Sequence, residues 1–169
     1  MLQKTFFITG ANSGFGLAIA QAALEAGHRV IGTVRSQTAR VSLRERLPDV
    51  RVVLCDVTEF DRIPAIVAQA EEDHGPVDVL INNAGYGHEG VLEESPLEEM
   101  RRQFDVNVFG AVAIAKAFLP RFRERRSGFI VNVTSMGGLI TMPGLSYYCG
   151  SKFALQGISE VMRAEMAPF

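Results

Sequence analysis

The chain opens on a short β-branched and aromatic run, Thr5-Phe6-Phe7-Ile8, and then changes period. After the glycine-rich stretch Thr9-Gly10-Ala11-Asn12-Ser13-Gly14-Phe15-Gly16, apolar Leu17, Ala18, Ile19, Ala22, Ala23 and Leu24 recur at helical spacing until Gly27 stops the pattern. This predicts strand, turn and helix, and the alternation then repeats. Strands are expected at residues 29–34, 51–55, 77–81 and 129–134, where β-branched residues cluster between turn signals. Helices are expected over 42–47, closed by Pro48, and over 59–74, where Ile63, Ile66, Val67 and Ala70 share one face before Gly75-Pro76. A long helical stretch follows from 96 to about 125, with Pro120 expected to bend or end part of it. A glycine-rich loop, 136–144, leads to a last helix from Ser146 to about Met166.

Strands alternating with helices at this spacing imply right-handed βαβ crossovers and a parallel sheet covered on both faces, a doubly wound α/β fold. With 169 residues, 47% of them hydrophobic, and no internal linker or repeat, one domain with one core is expected. Ligands of such sheets bind beyond the carboxyl ends of the strands. Gly10 to Gly16, Arg35, Asp56, Asn82 to Gly85 and Ser135 all fall at such ends.

Net charge of −2 provides no basic field for a nucleic-acid backbone. No apolar run approaches the ~20 residues of a membrane helix, and the first residues show no signal-peptide pattern, so a cytoplasmic protein is expected. Cys55 and Cys149 lack metal or redox spacing and read as small buried residues.

The three glycines in Gly-x-x-x-Gly-x-Gly order allow a tight turn and close approach of a ligand, and a helix N-terminus favours a pyrophosphate. An ordinary glycine-rich loop is the alternative; a Walker loop is excluded, because no Lys-Ser or Lys-Thr follows Gly16. Tyr148 and Lys152, four apart, share a helix face. A phenol is a poor acid or base at neutral pH, but a neighbouring ammonium stabilises its phenolate, making a usable proton donor and acceptor. A plain surface pair is the alternative. Tyr147 lies on another side of the helix. His88 reads as an exposed loop residue rather than a group at the mouth of a site. No base is placed beside Cys149, and Glu93, Glu94, Glu98 and Glu99 read as a solvated helix start without metal spacing.

Taken together, these motifs resemble the short-chain dehydrogenase/reductase family: Thr-Gly-x-x-x-Gly-x-Gly, Asn-Asn-Ala-Gly after the fourth strand, a serine after the fifth, and Tyr-x-x-x-Lys beyond it. The resemblance covers almost the whole chain and implies a Rossmann-like sheet in the order 3-2-1-4-5. It implies an oxidoreductase that interconverts an alcohol and a ketone or aldehyde by hydride transfer. Tyr148 would be the acid/base, Ser135 would hold the substrate oxygen, and Lys152 would strengthen the tyrosine as an acid and bind the nicotinamide ribose. Asn107 would anchor a water of the proton relay, or else cap a helix kink; the two are compatible.

The cofactor would lie along Gly10, Asn12, Ser13, Gly14, Phe15 and Gly16, with Asn83, Ala84 and Gly85 beside the adenosine ribose. Asp56 and Val57 would contact the adenine end, Asp56 through its side chain unless it serves as a helix N-cap. Arg35, with no carboxylate at the end of the second strand, points to NADP over NAD. The basic residue that many NADP-dependent members carry before the middle glycine is Ser13 here.

Family members continue for roughly 80 to 100 further residues. By resemblance, that part would hold a sixth strand, a lid and much of the substrate pocket, and its absence would leave the fifth strand's outer edge unpaired. A homodimer or homotetramer through the long and last helices is expected, although their apolar faces fit a core role equally. Steroid- or retinoid-like alcohols are a weak suggestion of the Asn82 to Gly87 segment. The rival class is a non-catalytic dinucleotide sensor or scaffold, against which the intact set Asn107, Ser135, Tyr148 and Lys152 argues.

Overall fold

The computed structural model describes residues 2–169. Five parallel strands, β1 (Thr5–Ile8), β2 (Arg29–Val34), β3 (Arg51–Leu54), β4 (Val79–Asn82) and β5 (Phe129–Asn132), form one sheet in the order β3-β2-β1-β4-β5. The helices are α1 (Gly14–Glu25), α2 (Gln37–Arg46), α3 (Ile63–His74), α4 (Leu97–Phe104), α5 (Ala111–Arg125) and α6 (Ser146–Met166).

Alternation along the strands splits the core in two. Phe7, Ile31 and Leu80 point to one face and pack with Val67 of α3 and Ile114 and Phe118 of α5. Their neighbours Ile8, Val30 and Ile81 point to the other, against Leu17 and Ala20 of α1 and Leu43 of α2. Both faces are thus apolar, as a parallel sheet between helix layers requires. At the amino-terminal side of the sheet, buried Glu71 of α3 accepts from Val77 N (2.9 Å) and pairs with Arg121 (3.0 Å) and Arg125 (3.1 Å) of α5. The strand ends carrying the candidate site residues lie at the opposite side.

The structure departs from the periodicity at three places. The second helix begins at Gln37, well before residue 42, because Ser36 caps it by accepting from Ala39 N (3.2 Å); its first turn is polar and exposed, so no apolar period marked it. The long stretch is broken by a π-helical turn, Asp105–Gly110, between α4 and α5. Pro120 does not end α5: it is exposed, as is Lys116, whose carbonyl loses its helical partner where water can replace it. β5 is an edge strand, with Phe129 62% exposed.

Candidate active site

The turn after β1 is built by its neighbours. Thr9 Oγ1 accepts from the main-chain N–H of Asn83 (2.9 Å) and Ala84 (3.0 Å), while Asn83 Nδ2 donates to the carbonyls of Thr9 (3.0 Å) and Gly10 (3.2 Å). The Asn83 side chain therefore holds the turn, and Asn83-Ala84-Gly85 runs beside it. Gly10 adopts φ +65°, a left-handed conformation that glycine takes without strain. At Gly16 a Cβ would overlap the Gly10 carbonyl oxygen and stand 2.5 Å from Asn83 Nδ2, so α1 approaches the turn as closely as a side chain-free residue permits.

Ser13 occupies the N-cap of α1 without a side-chain cap, and no acidic residue lies in the first turn. The N–H groups of Gly14, Phe15 and Gly16 remain open to an anion, which fits the pyrophosphate of a dinucleotide. Asn12 meets Arg46, whose Nη1 donates to its carbonyl at 3.4 Å.

Arg35 stands exposed beyond β2. Asp56, after β3, accepts through Oδ1 from Thr58 N (2.9 Å) and Thr58 Oγ1 (2.7 Å), which leaves Oδ2 for a ligand. This is a local turn rather than the cap of α3, which begins after a 3-10 turn at Phe60–Arg62. Val57, next to Asp56, is buried in the core where Gly110 packs on it.

Asn107 lies in the π turn, 1% exposed. Its Oδ1 accepts from Tyr86 N (3.0 Å), and Nδ2 donates to Tyr86 O (2.9 Å) and Ser151 Oγ (3.0 Å). Ser151 Oγ in turn donates to Tyr148 O (2.7 Å). One amide thus fastens the segment after β4 to the turn of α6 that carries Tyr148. Both Nδ2 protons are engaged, so a water held at this position would rest on the main chain.

Tyr148 is half-buried, its ring between Gly87 and Gly137: Cβ atoms at those glycines would lie 3.4 and 3.3 Å from ring carbons. Lys152 is 5% exposed; its Nζ donates to Val133 O (2.8 Å) and lies 5.8 Å from the Tyr148 ring centroid. Ser135 Oγ accepts from Gly137 N (3.1 Å), which leaves its hydroxyl proton free to donate.

Burial lowers the Lys152 pKa from 10.5. The unfolded chain therefore keeps this proton to higher pH than the native one, and native stability rises with pH between the lowered value and 10.5. Stability of the wild type relative to Lys152→Met is expected to climb over that window in denaturant titrations. A parallel pH dependence of the two proteins would contradict it.

Several residues that periodicity did not mark complete the site. Gln103, fully buried and one helical turn before Asn107, donates through Nε2 to Tyr86 O (2.9 Å). The i,i+4 spacing of Gln103 and Asn107 was the available signal. His88 is half-buried rather than exposed. Ser95 Oγ lies 3.0 Å from His88 Nε2 and 2.9 Å from Val91 O, so one hydroxyl ties the histidine to the loop. The His88 ring stacks on Tyr147, whose hydroxyl donates to Ser95 O (2.8 Å). Tyr147 thereby anchors a loop while Tyr148 faces the site. Cys149 is buried, and burial pushes the thiol of Cys55 up to about 11, away from nucleophilic chemistry. Among the described residues no group of His, Cys, Asp and Glu side chains is arranged to hold a metal ion, and no helix is long and apolar enough to cross a membrane.

The chain is thus a five-stranded doubly wound sheet with a glycine cradle after its first strand and a Tyr-Lys pair beyond its fifth. The chain matches the short chain dehydrogenase family over residues 4–169 and belongs to it. It is 41% identical over its whole length to a 3-ketodihydrosphingosine reductase of Bacteroides thetaiotaomicron, of which it covers 61%. Among solved structures it is similar to ElxO with NADP bound (TM-score 0.94, 26% identity, 99% of this chain and 69% of that one). It is also similar to an NAD+-bound xylitol dehydrogenase (TM-score 0.89, 31% identity, 98% and 65%). The chain spans about three-fifths of the length of curated relatives that it matches.

Proposed function

We propose that the protein is an NADP-dependent oxidoreductase that interconverts an alcohol and a ketone or aldehyde, with Tyr148 as general acid/base. The carrying observation is the convergence of Tyr148, Lys152, Ser135 and the Asn107 clasp beside the glycine cradle. When bound, the nicotinamide donates or accepts the hydride.

The chain's own residues handle the substrate oxygen. In the reducing direction the Tyr148 hydroxyl gives its proton to that oxygen, and in the oxidising direction the phenolate takes it back. The free proton of Ser135 donates to the same oxygen and orients it. The Lys152 ammonium stabilises the phenolate electrostatically, and its burial keeps water from screening that effect. Gly10, Asn12, Ser13, Gly14, Phe15 and Gly16 hold the pyrophosphate; Asp56 Oδ2 and the Val57 main chain take the adenine end, and Asn83-Ala84-Gly85 lies along the ribose.

Cofactor choice rests on Arg35. Exposed at the end of β2 with no carboxylate beside it, its guanidinium suits a 2′-phosphate. A cytoplasmic location fits two buried, unpaired cysteines. A homodimer or homotetramer through α5 and α6 fits the exposed Ile158 and Val161.

The test uses full-length protein, titrated with NADPH and NADH by fluorescence and assayed on carbonyl compounds by cofactor absorbance. NADPH is expected to bind more tightly, and Arg35→Ser to weaken NADPH by roughly tenfold or more while sparing NADH. Equal affinities in the wild type would reject the cofactor assignment.

A further inference from the structure

We infer that Arg46, on the last turn of α2, is a second cation for the 2′-phosphate of the cofactor and acts with Arg35; this rests on the NADP reading above. The two arginines belong to different elements, and packing around β2 brings them to one turn. Ala11 N donates to Thr33 O (3.0 Å), which fastens the glycine turn to the end of β2 just before Arg35. A Cβ at Gly32 would stand 2.9 Å from Ala11 Cβ and 3.3 Å from Leu43 Cδ2, so the bare strand lets the turn and α2 close together over it. Leu43 is fully buried there. Arg46 lies one turn further along that helix face, and its Nη1 donates to Asn12 O (3.4 Å).

This contact engages one N–H of a planar group that offers several, so the rest of the fork can meet an anion. Its partner is a neutral carbonyl, and among the described residues neither Arg35 nor Arg46 forms an ion pair with a carboxylate. Asn12 immediately precedes Ser13 and the open N–H groups at the start of α1. The anchored guanidinium therefore extends the positive potential of the cradle toward the end of β2. A 2′-phosphate carries roughly two negative charges at neutral pH, more than one arginine neutralises, whereas a 2′-hydroxyl carries none.

The plainer account is a cation favoured by the helix dipole at the carboxyl end of α2. Arg44, exposed in the same last turn, has that advantage too, yet among the described residues it makes no side-chain hydrogen bond to the glycine turn. The two accounts therefore separate at Arg44. This corner belongs to the β3 edge of the sheet, opposite the β5 edge.

The experiment titrates the full-length wild type, Arg46→Gln and Arg44→Gln with NADPH and NADH by fluorescence, at low and high salt. Arg46→Gln is expected to weaken NADPH about five- to tenfold, the loss of one partly screened charge-assisted contact, and to leave NADH within about twofold. Arg44→Gln is expected to move neither by more than about twofold. The wild-type preference for NADPH should shrink as salt rises, and shrink less in Arg46→Gln, because one of the screened charges is gone.

Equal losses of NADPH and NADH affinity would make Arg46 a brace of the turn. An Arg46→Gln protein that binds NADPH as the wild type does would leave the phosphate to Arg35 alone, and an equal loss in Arg44→Gln would make the effect one of general charge. Each of these overturns the inference while the NADP reading stands, as does a salt dependence identical in the wild type and Arg46→Gln. A wild type that binds the two cofactors equally overturns both.

Discussion

Tyr148→Phe is expected to lower kcat/KM for carbonyl reduction by roughly a thousandfold, within the range that a positioned general acid contributes, while NADPH affinity changes little. The substitution removes one oxygen and keeps the ring that Gly87 and Gly137 enclose. The clasp from Asn107 through Ser151 ends on the Tyr148 main-chain carbonyl, so it survives as well. Structure and cofactor binding should therefore persist, and only the proton transfer should go. Steady-state rates beside a fluorescence titration of NADPH separate the two effects. Activity retained within about tenfold would move the acid/base role to another group.

Gly16→Ala is the second large effect, and it acts on the cradle instead of the chemistry. The new methyl would overlap the Gly10 carbonyl and approach Asn83 Nδ2 to 2.5 Å. Neither can retreat cheaply: Gly10 is held at φ +65°, and Asn83 Nδ2 bonds to both Thr9 O and Gly10 O. A loss of about 3 kcal/mol in stability is expected from such overpacking, with NADPH binding weakened by more than tenfold. Gly14→Ala offers the contrast. Nothing lies within 4 Å of a Cβ there, and only φ +51° opposes it, so the cost should be about 1 kcal/mol. Urea melts and NADPH titrations of the two variants distinguish crowding from backbone strain, and a Gly16→Ala protein that binds NADPH normally would refute the account of the cradle.

Much of this architecture was legible because it is encoded locally. A change of period from strand to helix brackets the glycine turn, and β2 and α6 begin where sequence signals placed them. Tyr148 and Lys152 share a helix face by spacing alone. Where the code was polar it was harder to read: the first turn of α2 rests on Ser36, not on an apolar stripe.

The long-range contacts were hidden. Thr9 and Asn83, 74 residues apart, meet only because β1 and β4 are neighbours in the sheet. Asn107 reaches Ser151 across 44 residues because the π turn and α6 pack together, and His88 joins Ser95 and Tyr147 for a similar reason.

The sequence by itself determined the alternating strands and helices, the glycine turn and the residue types beyond the strand ends, since each depends on periodicity and local conformation. The tertiary structure decided how those groups are held. It turned the Asn83 and Asn107 amides into clasps, buried the Lys152 ammonium beside the tyrosine, and joined the loops carrying Gly87 and Gly137 through the Gly90–Leu145 bridge. Packing alone brings such distant donors and acceptors within hydrogen-bond reach and removes the water that would otherwise satisfy them.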